Sequence, residues 1–443
     1  MSRRAWDGVL RAGTAFGLLV IVSAQANAGG FAVREQSPYG QGSSFAGIAA
    51  GGALSSMFWN PATMTQFQGI VSETAVSGIF PYASNTPTGG TLTGLGFPGA
   101  TIDTPAGLVA GYTSYQFSPN LWLGMSINAP FGLSPNYPDF WAGRNYAGQT
   151  LLKTYNATPS IAWRINDWIS VGAGVQIQYA KATLERGIGG TLGSQAILQG
   201  TGFAYGATAG ITLTPTPTTT IGLGWRSALN QKIEGTLTST TASALLPGST
   251  FGSVTTTVDL PDIVSLGIRQ VVDPRWTLLG TVEWTNWSRI GTSAVNQLNG
   301  QPATLLAGFG GGAVTIPFQY RDGWFFSGGA EYIWNERLTV RGGLAYEISP
   351  VSDQVRIPIV PDNNRFWASA GATWQVMRGM HFDLAYSHIW VQDPNINVTA
   401  GNPSFIPGLS YVGTVNAHVD IISAALVIRL DELDPAWKKP YMR

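Results

Sequence analysis

The sequence predicts an all-β protein: a transmembrane antiparallel β-barrel of about 14 strands, with an N-terminal hatch, or plug, inside its lumen. Three observations carry this. Polar and apolar residues alternate with period two along many segments, short turns alternate strictly with long loops, and tryptophans gather at the short turns. Composition agrees. Only 11% of the 443 residues are charged, against roughly 25% in an ordinary soluble domain. The 24 basic and 24 acidic side chains cancel, which leaves no basic face for nucleic acid. With no cysteine and three histidines, none in an HExxH pattern, the chain offers no disulfide framework, thiol chemistry or familiar zinc motif.

Residues 1–28 read as a signal peptide. Arg3, Arg4 and Arg11 precede the apolar run 12–24, and Ala26-Asn27-Ala28 gives a small-x-small cleavage pattern. The run is shorter than the roughly 20 residues a helical span needs.

Strands follow from alternation. Val171, Val175, Ile177 and Tyr179 alternate with Gly172, Gly174, Gln176 and Gln178; Trp276, Leu278, Val282 and Trp284 alternate with Thr277, Thr281, Glu283 and Thr285. The same pattern runs through 338–348 and 381–387, each time placing apolar groups on one face. Fourteen strands are expected near 69–83, 105–117, 120–130, 151–165, 168–186, 202–214, 218–240, 254–271, 274–291, 318–332, 336–349, 365–376, 380–392 and 416–430. Short turns near 118–120, 165–167, 215–217, 272–275, 334–337 and 377–379 alternate with long loops rich in Gly, Pro, Ser and Thr. That asymmetry, with an even strand number, describes an outer-membrane barrel rather than a soluble sandwich. Trp122, Trp163, Trp168, Trp276, Trp334 and Trp374 lie in or beside five of these turns, where a membrane–water girdle belongs.

Residues 29–68 show no alternation, yet carry Phe31, Phe45, Ile48, Leu54, Met57, Phe58 and Trp59. A segment this apolar does not suit a solvated tail, and a fourteen-stranded barrel has a lumen that needs water or a plug. The expected division is therefore 1–28 signal peptide, 29–68 hatch, 69–430 barrel and 431–443 periplasmic tail. Asn60-Pro61-Ala62 closes the hatch with a proline-fixed bend. Within the third strand's end, Asn128-Ala129-Pro130-Phe131-Gly132, Pro130 cannot donate to a ladder and Gly132 weakens pairing, so a local break is expected.

These pieces resemble the long-chain fatty acid transport (FadL-type) family of outer-membrane proteins, which also includes aromatic-hydrocarbon uptake proteins. The resemblance rests on GFAVREQSPYGQGSSFAG (30–47) with SSMFWNPATMT (55–65), SINAPFGL (126–133), TPSIAWRINDWISVGAGVQIQYAKATLER (158–186), LPDIVSLGIRQVVDPRWTLLGTVEWTNW (260–287), and YRDGW (320–324) with the segment 342–371. It implies a monomeric, cofactor-free barrel for passive uptake of hydrophobic compounds, long-chain fatty acids first. Such ligands are caught at an outer groove, pass to a lumenal pocket and exit sideways into lipid near strand 3. The resemblance makes Asn60, Pro61 and Ala62 the hatch motif, and places the lateral opening at Asn128, Pro130, Phe131 and Gly132, with the kinking residue left open. Two features depart from the family. Gly51-Gly52-Ala53 stands where acidic residues commonly precede the hatch motif, and DELDPAWKKPYMR extends past Leu430.

Parity places Arg186, Arg226, Arg269, Arg341 and Glu347 on the lumenal side. A fatty acid wants one cation for its carboxylate, and Arg186 is the first candidate. Phe131, Tyr137, Phe140, Trp141 and Tyr146 are candidates for the initial apolar groove. An aromatic hydrocarbon needs no cation, so that cargo stays open. A general diffusion porin is the structural alternative. A barrel lipase built on His381, His388 or His418 with Ser and Asn is the enzymatic one, disfavoured because the sequence shows no spatial adjacency and His381 and His388 differ in strand parity. The chain is expected not to be an enzyme.

Overall fold

A computed structural model describes residues 30–188, 192–240, 249–303 and 314–433. The expected signal peptide and most of the expected tail lie outside the described residues. Fourteen antiparallel strands form the wall. They are β1 (Ile70–Gly90), β2 (Ala106–Ser118), β3 (Leu121–Asn128), β4 (Thr150–Arg164), β5 (Ile169–Gly187), β6 (Gln195–Thr216) and β7 (Thr219–Arg226 continued by Leu229–Thr240). There follow β8 (Ser249–Leu260 and Ile263–Val271), β9 (Trp276–Thr285), β10 (Gly323–Asn335), β11 (Leu338–Ile348), β12 (Arg365–Met377), β13 (Met380–Val391) and β14 (Tyr411–Arg429). Each strand pairs with the next, and β14 pairs back onto β1 from Val71↔Arg429 to Gly90↔Tyr411. Closure removes the sheet edges that a bilayer cannot hydrate.

All the expected strands are present, but three are interrupted. β7 breaks at Ser227-Ala228 and β8 at Pro261-Asp262, side by side, with the Ala228 N–H donating to the Asp262 carboxylate at 3.0 Å. β3 stops early. Asn128 still pairs with Asn156 of β4, and the chain rejoins β4 only at Gly132↔Lys153. From 128 to 132 is four steps, against three from 156 to 153, so one extra residue is inserted and the strand bulges.

The barrel faces outward with its apolar residues. Trp163, Trp168, Trp276, Trp334 and Trp374 are 44–63% exposed at the short-turn rim, as a girdle requires. Trp122 does not join them. Its neighbour Leu123 faces out, so strand parity turns the indole inward, where it is fully buried and donates to the Phe67 carbonyl at 2.6 Å.

The hydrophobic core sits in the lumen. Residues 30–68 fold there as four short helical turns, Pro38–Gln41, Ile48–Ala50, Leu54–Phe58 and Pro61–Gln66. Their side chains Phe45, Ile48, Met57 and Trp59 pack against Tyr112 and Trp122 of β2 and β3 and against Trp367, Ile389 and Ile421 of β12–β14. The plug lies unusually close to the wall where the wall offers glycine. A Cβ added at Gly222 would overlap the Ala49 carbonyl, and one at Gly224 the Trp59 carbonyl.

Candidate transport site: plug, wall break and cavities

Asn60 forms the N-cap of the last plug turn. Its side-chain oxygen accepts from the Ala62 N–H at 3.0 Å, while Nδ2 donates to Ala49 O at 2.8 Å and Ile211 O at 2.9 Å. Pro61 starts the turn, where its missing N–H costs nothing. One amide thus ties two plug turns to each other and to β6. Gly210 lies directly beneath it, and a Cβ there would overlap Asn60 Oδ1.

A buried ion pair and a hydrogen-bonded tyrosine bolt the plug to β9 and β10. Arg34 reaches Glu283 at 2.7 Å and stacks over Phe325 at 3.8 Å. The Tyr39 hydroxyl donates to Glu331, which also pairs with Arg269 at 2.7 Å; Arg341 covers the Tyr39 ring at 4.0 Å and faces Asp383 at 3.4 Å. Arg226 donates to Phe58 O at 3.0 Å. The lumenal positions expected for Arg226, Arg269, Arg341 and Glu347 are therefore occupied, and Arg226, Arg269 and Arg341 hold the plug. Arg269 lies against Gly52, and Glu331 and Tyr39 supply its partners. Sequence reading passed over Tyr39, Glu331 and Asp383. Parity would have found the two acids, since both interrupt apolar strands on the inward register. Glu35 is buried without a hydrogen bond to either carboxylate oxygen. Burial pushes its carboxyl up to about 7, against the pull of its own backbone N–H and of Arg34.

The β3 bulge opens a break in the wall. β2 pairs with β3 only from Gly111↔Ile127 downward; Ala106–Ala110 pair with β1 but have no ladder partner on β3 among the described residues. The plug supplies hydrogen bonds to the displaced strand instead. The Val33 N–H donates to Pro130 O at 2.8 Å, the Gly132 N–H to Phe31 O at 2.9 Å, and Gln36 Nε2 to Ala129 O at 2.9 Å. Phe131 turns inward, 6.2 Å from both Phe31 and Trp287 by ring centroids. Pro130, Phe131 and Gly132 are thus brought together with the start of the plug, while Asn128 stays in the ladder opposite Asn156.

Two cavities lie above this point and share Leu184, Leu198, Ile316, Pro317, Ile357 and Ile359. The outer one, about 210 Å³, is lined by Arg186, Tyr146, Leu237 and Pro403–Pro407. The inner one, about 120 Å³, has no charged lining residue and has Phe31 and Tyr320 among its walls. A larger depression of about 670 Å³ lies on the lipid-facing wall over Gly267, Gly280 and Gly328, away from these cavities.

The aromatic residues expected at an outer groove are placed differently. Trp141 is fully buried, stacked on Tyr137 at 4.2 Å, and Tyr146 is buried beside them. They form the core of an outer cap with Ile396, Val398 and Tyr411, because Trp141 Nε1 and the Tyr137 hydroxyl find carbonyl partners within the loops. Phe140 alone of the five is exposed, packed on Phe97 at 4.7 Å. His388 meets Asp420 at 2.8 Å on the outer wall, and His381 stands apart beside Asp383.

A closed barrel with a lipid-facing apolar wall and a lumen filled by its own N-terminal segment defines a plugged channel of the outer membrane. The family model described as outer membrane protein transport protein (OMPP1/FadL/TodX) matches residues 19–429, and the chain belongs to that family. It is similar to the long-chain fatty acid transport protein of Escherichia coli K12, 26% identical over 86% of this chain and 92% of that protein. It is likewise similar to outer membrane protein P1 of Haemophilus influenzae, 27% identical over 84% of this chain and 88% of that one. Among solved structures, a Pseudomonas aeruginosa FadL homologue superposes with TM-score 0.78 at 21% identity, covering 90% of this chain and 99% of the other. The Pseudomonas putida toluene transporter TodX superposes with TM-score 0.68 at 15% identity, covering 91% and 100%. The protein is thus an outer-membrane transport channel and not an enzyme.

Proposed function

We propose that the protein takes up long-chain fatty acids passively and releases them sideways into the membrane at the β3 break. The observation that carries this reading is the order of the parts. A cavity with one arginine, Arg186, leads to a cavity without charge, which ends at Phe31, where plug and broken strand meet. A carboxylate is held by a cation and an alkyl chain by apolar walls, so this order fits a molecule with one charged end. Leaving through the wall keeps the chain out of water throughout. In this reading Phe140 and its neighbour Phe97 offer the first apolar foothold, Trp141 stiffens the cap, and Phe131 forms the inner door. Asn60, Pro61 and Ala62 form the hinge on which the plug segment moves.

Aromatic hydrocarbons are the second reading, favoured by the uncharged inner cavity and the TodX-like fold. A diffusion porin needs an open aqueous lumen, and here the plug packs against β12–β14 on one side and presses on Gly222 and Gly224 of β7 on another. Uptake by proteoliposomes separates the cargoes. Arg186→Ala is expected to lower oleate uptake about tenfold, the worth of a charge-assisted hydrogen bond, while toluene uptake is retained. Equal loss of both cargoes, or none of either, would sink the fatty acid reading.

A further inference from the structure

Four uncharged amides run across the lumenal wall from the inner cavity to the β3 break. Gln231 lines the cavity, and its side-chain oxygen accepts from Gln178 Nε2 at 3.1 Å. Gln178 lies opposite Ala204 of β6, whose small side chain leaves room for that reach. Asn156 is the cross-strand partner of Gln178, and Asn128 is the partner of Asn156. Directly paired residues share a face with their Cβ atoms about 5 Å apart, so the row is continuous. It ends at the residue where β3 leaves the wall.

Asn156 and Gln178 each have one end held and one end free. Thr158 donates to Asn156 Oδ1 and Gln178 Nε2 to Gln231, yet Asn156 Nδ2 and Gln178 Oε1 have no partner, while Asn128, held by Ser126, faces the Tyr112 hydroxyl. All three side chains are nine-tenths or more buried. A buried polar atom without a partner is costly, and two directly paired across neighbouring strands point to an occupant. We propose that this row receives the polar head of the cargo in an uncharged form, the protonated carboxyl of a fatty acid, on its way from the inner cavity to the break. The inference rests on the cargo reading above and specifies the state in which the cargo leaves.

The chemistry of the row selects that state. A protonated carboxyl has one acceptor and one donor, matching a free N–H and a free amide oxygen; a carboxylate only accepts. No cation belongs to the row. Arg226, one row toward the short-turn rim, is committed to Phe58 O and Gln176. A head entering hydrocarbon must also shed its charge, because an isolated carboxylate in apolar surroundings is strongly disfavoured. Buried waters are the rival occupants, and they would confer no preference for a cargo with a head.

The test uses the full protein in proteoliposomes and the ratio of oleyl alcohol uptake to toluene uptake. The alcohol carries an uncharged donor and acceptor and bypasses Arg186. Asn156→Leu, close to isosteric, is expected to lower this ratio about tenfold, and Asn156→Gln to restore most of it. An unchanged ratio in an assembled Asn156→Leu barrel would overturn the proposal. So would equal loss in the Leu and Gln variants, since shape rather than the amide would then matter. Gln178→Leu serves the same purpose if Asn156→Leu fails to assemble. Wild-type protein that takes up neither oleate nor oleyl alcohol refutes the cargo reading itself, before any variant is made, and the proposal with it.

Discussion

Asn60 shows how much a single side chain carries in a plug with little regular structure. Its amide makes three hydrogen bonds, two of them to carbonyls in separate elements. Truncation leaves those carbonyls buried without a donor, at a cost of about 1–3 kcal/mol for the group left unpaired. Asn60→Ala is therefore expected to loosen the plug while the barrel still assembles. Hydrogen exchange of the amides from 48 to 66 should speed up by about tenfold or more, with the wall amides unaffected, and oleate uptake should fall. Unchanged exchange would mean that Pro61 and the surrounding packing hold the turn alone. The role of Asn60 was legible because an Asn-Pro pair has a specific turn chemistry. The roles of Trp122 and Trp141 were not. Tryptophan beside a turn serves a girdle or a core equally well, and only strand parity and loop packing decide.

At the scale of elements, the wall was written more plainly than the contents. Alternation and turn chemistry locate strands because each lipid-facing position must be apolar and each lumenal one need not be. The interruptions at Ser227-Ala228 and Pro261-Asp262 left weaker marks, since Pro261 alone signals them and Asp262 satisfies the freed backbone from the side. The plug has no period to read; its shape is set by contacts with strands hundreds of residues away. Those contacts depend on missing side chains in β7. Gly222 and Gly224 let the Ala49 and Trp59 carbonyls press against the wall. Gly222→Val, which also suits a strand, should leave the barrel intact and displace the plug. Protease cleavage within 45–60 in folded, unboiled protein is the expected sign, and full resistance equal to wild type would refute it.

For the whole molecule, the filled lumen separates this channel from a pore. The full chain in a planar bilayer is expected to give no large steady conductance, whereas deletion of residues 30–66 should open a water-filled tube of about fourteen strands. A steady large conductance in the intact protein would show that the plug does not seal. The same architecture imposes an order of assembly. Gln41 donates to Ile421 O at 3.1 Å and accepts from Ser423, 382 residues further along the chain, so this part of the plug docks against the last strand. Closing so long a span is slow, and the seat of Gln41 does not exist until β14 is in place. The Gln41 turn therefore docks only once the wall is nearly complete. Until then the nascent barrel is an open hole in the very barrier it will later serve.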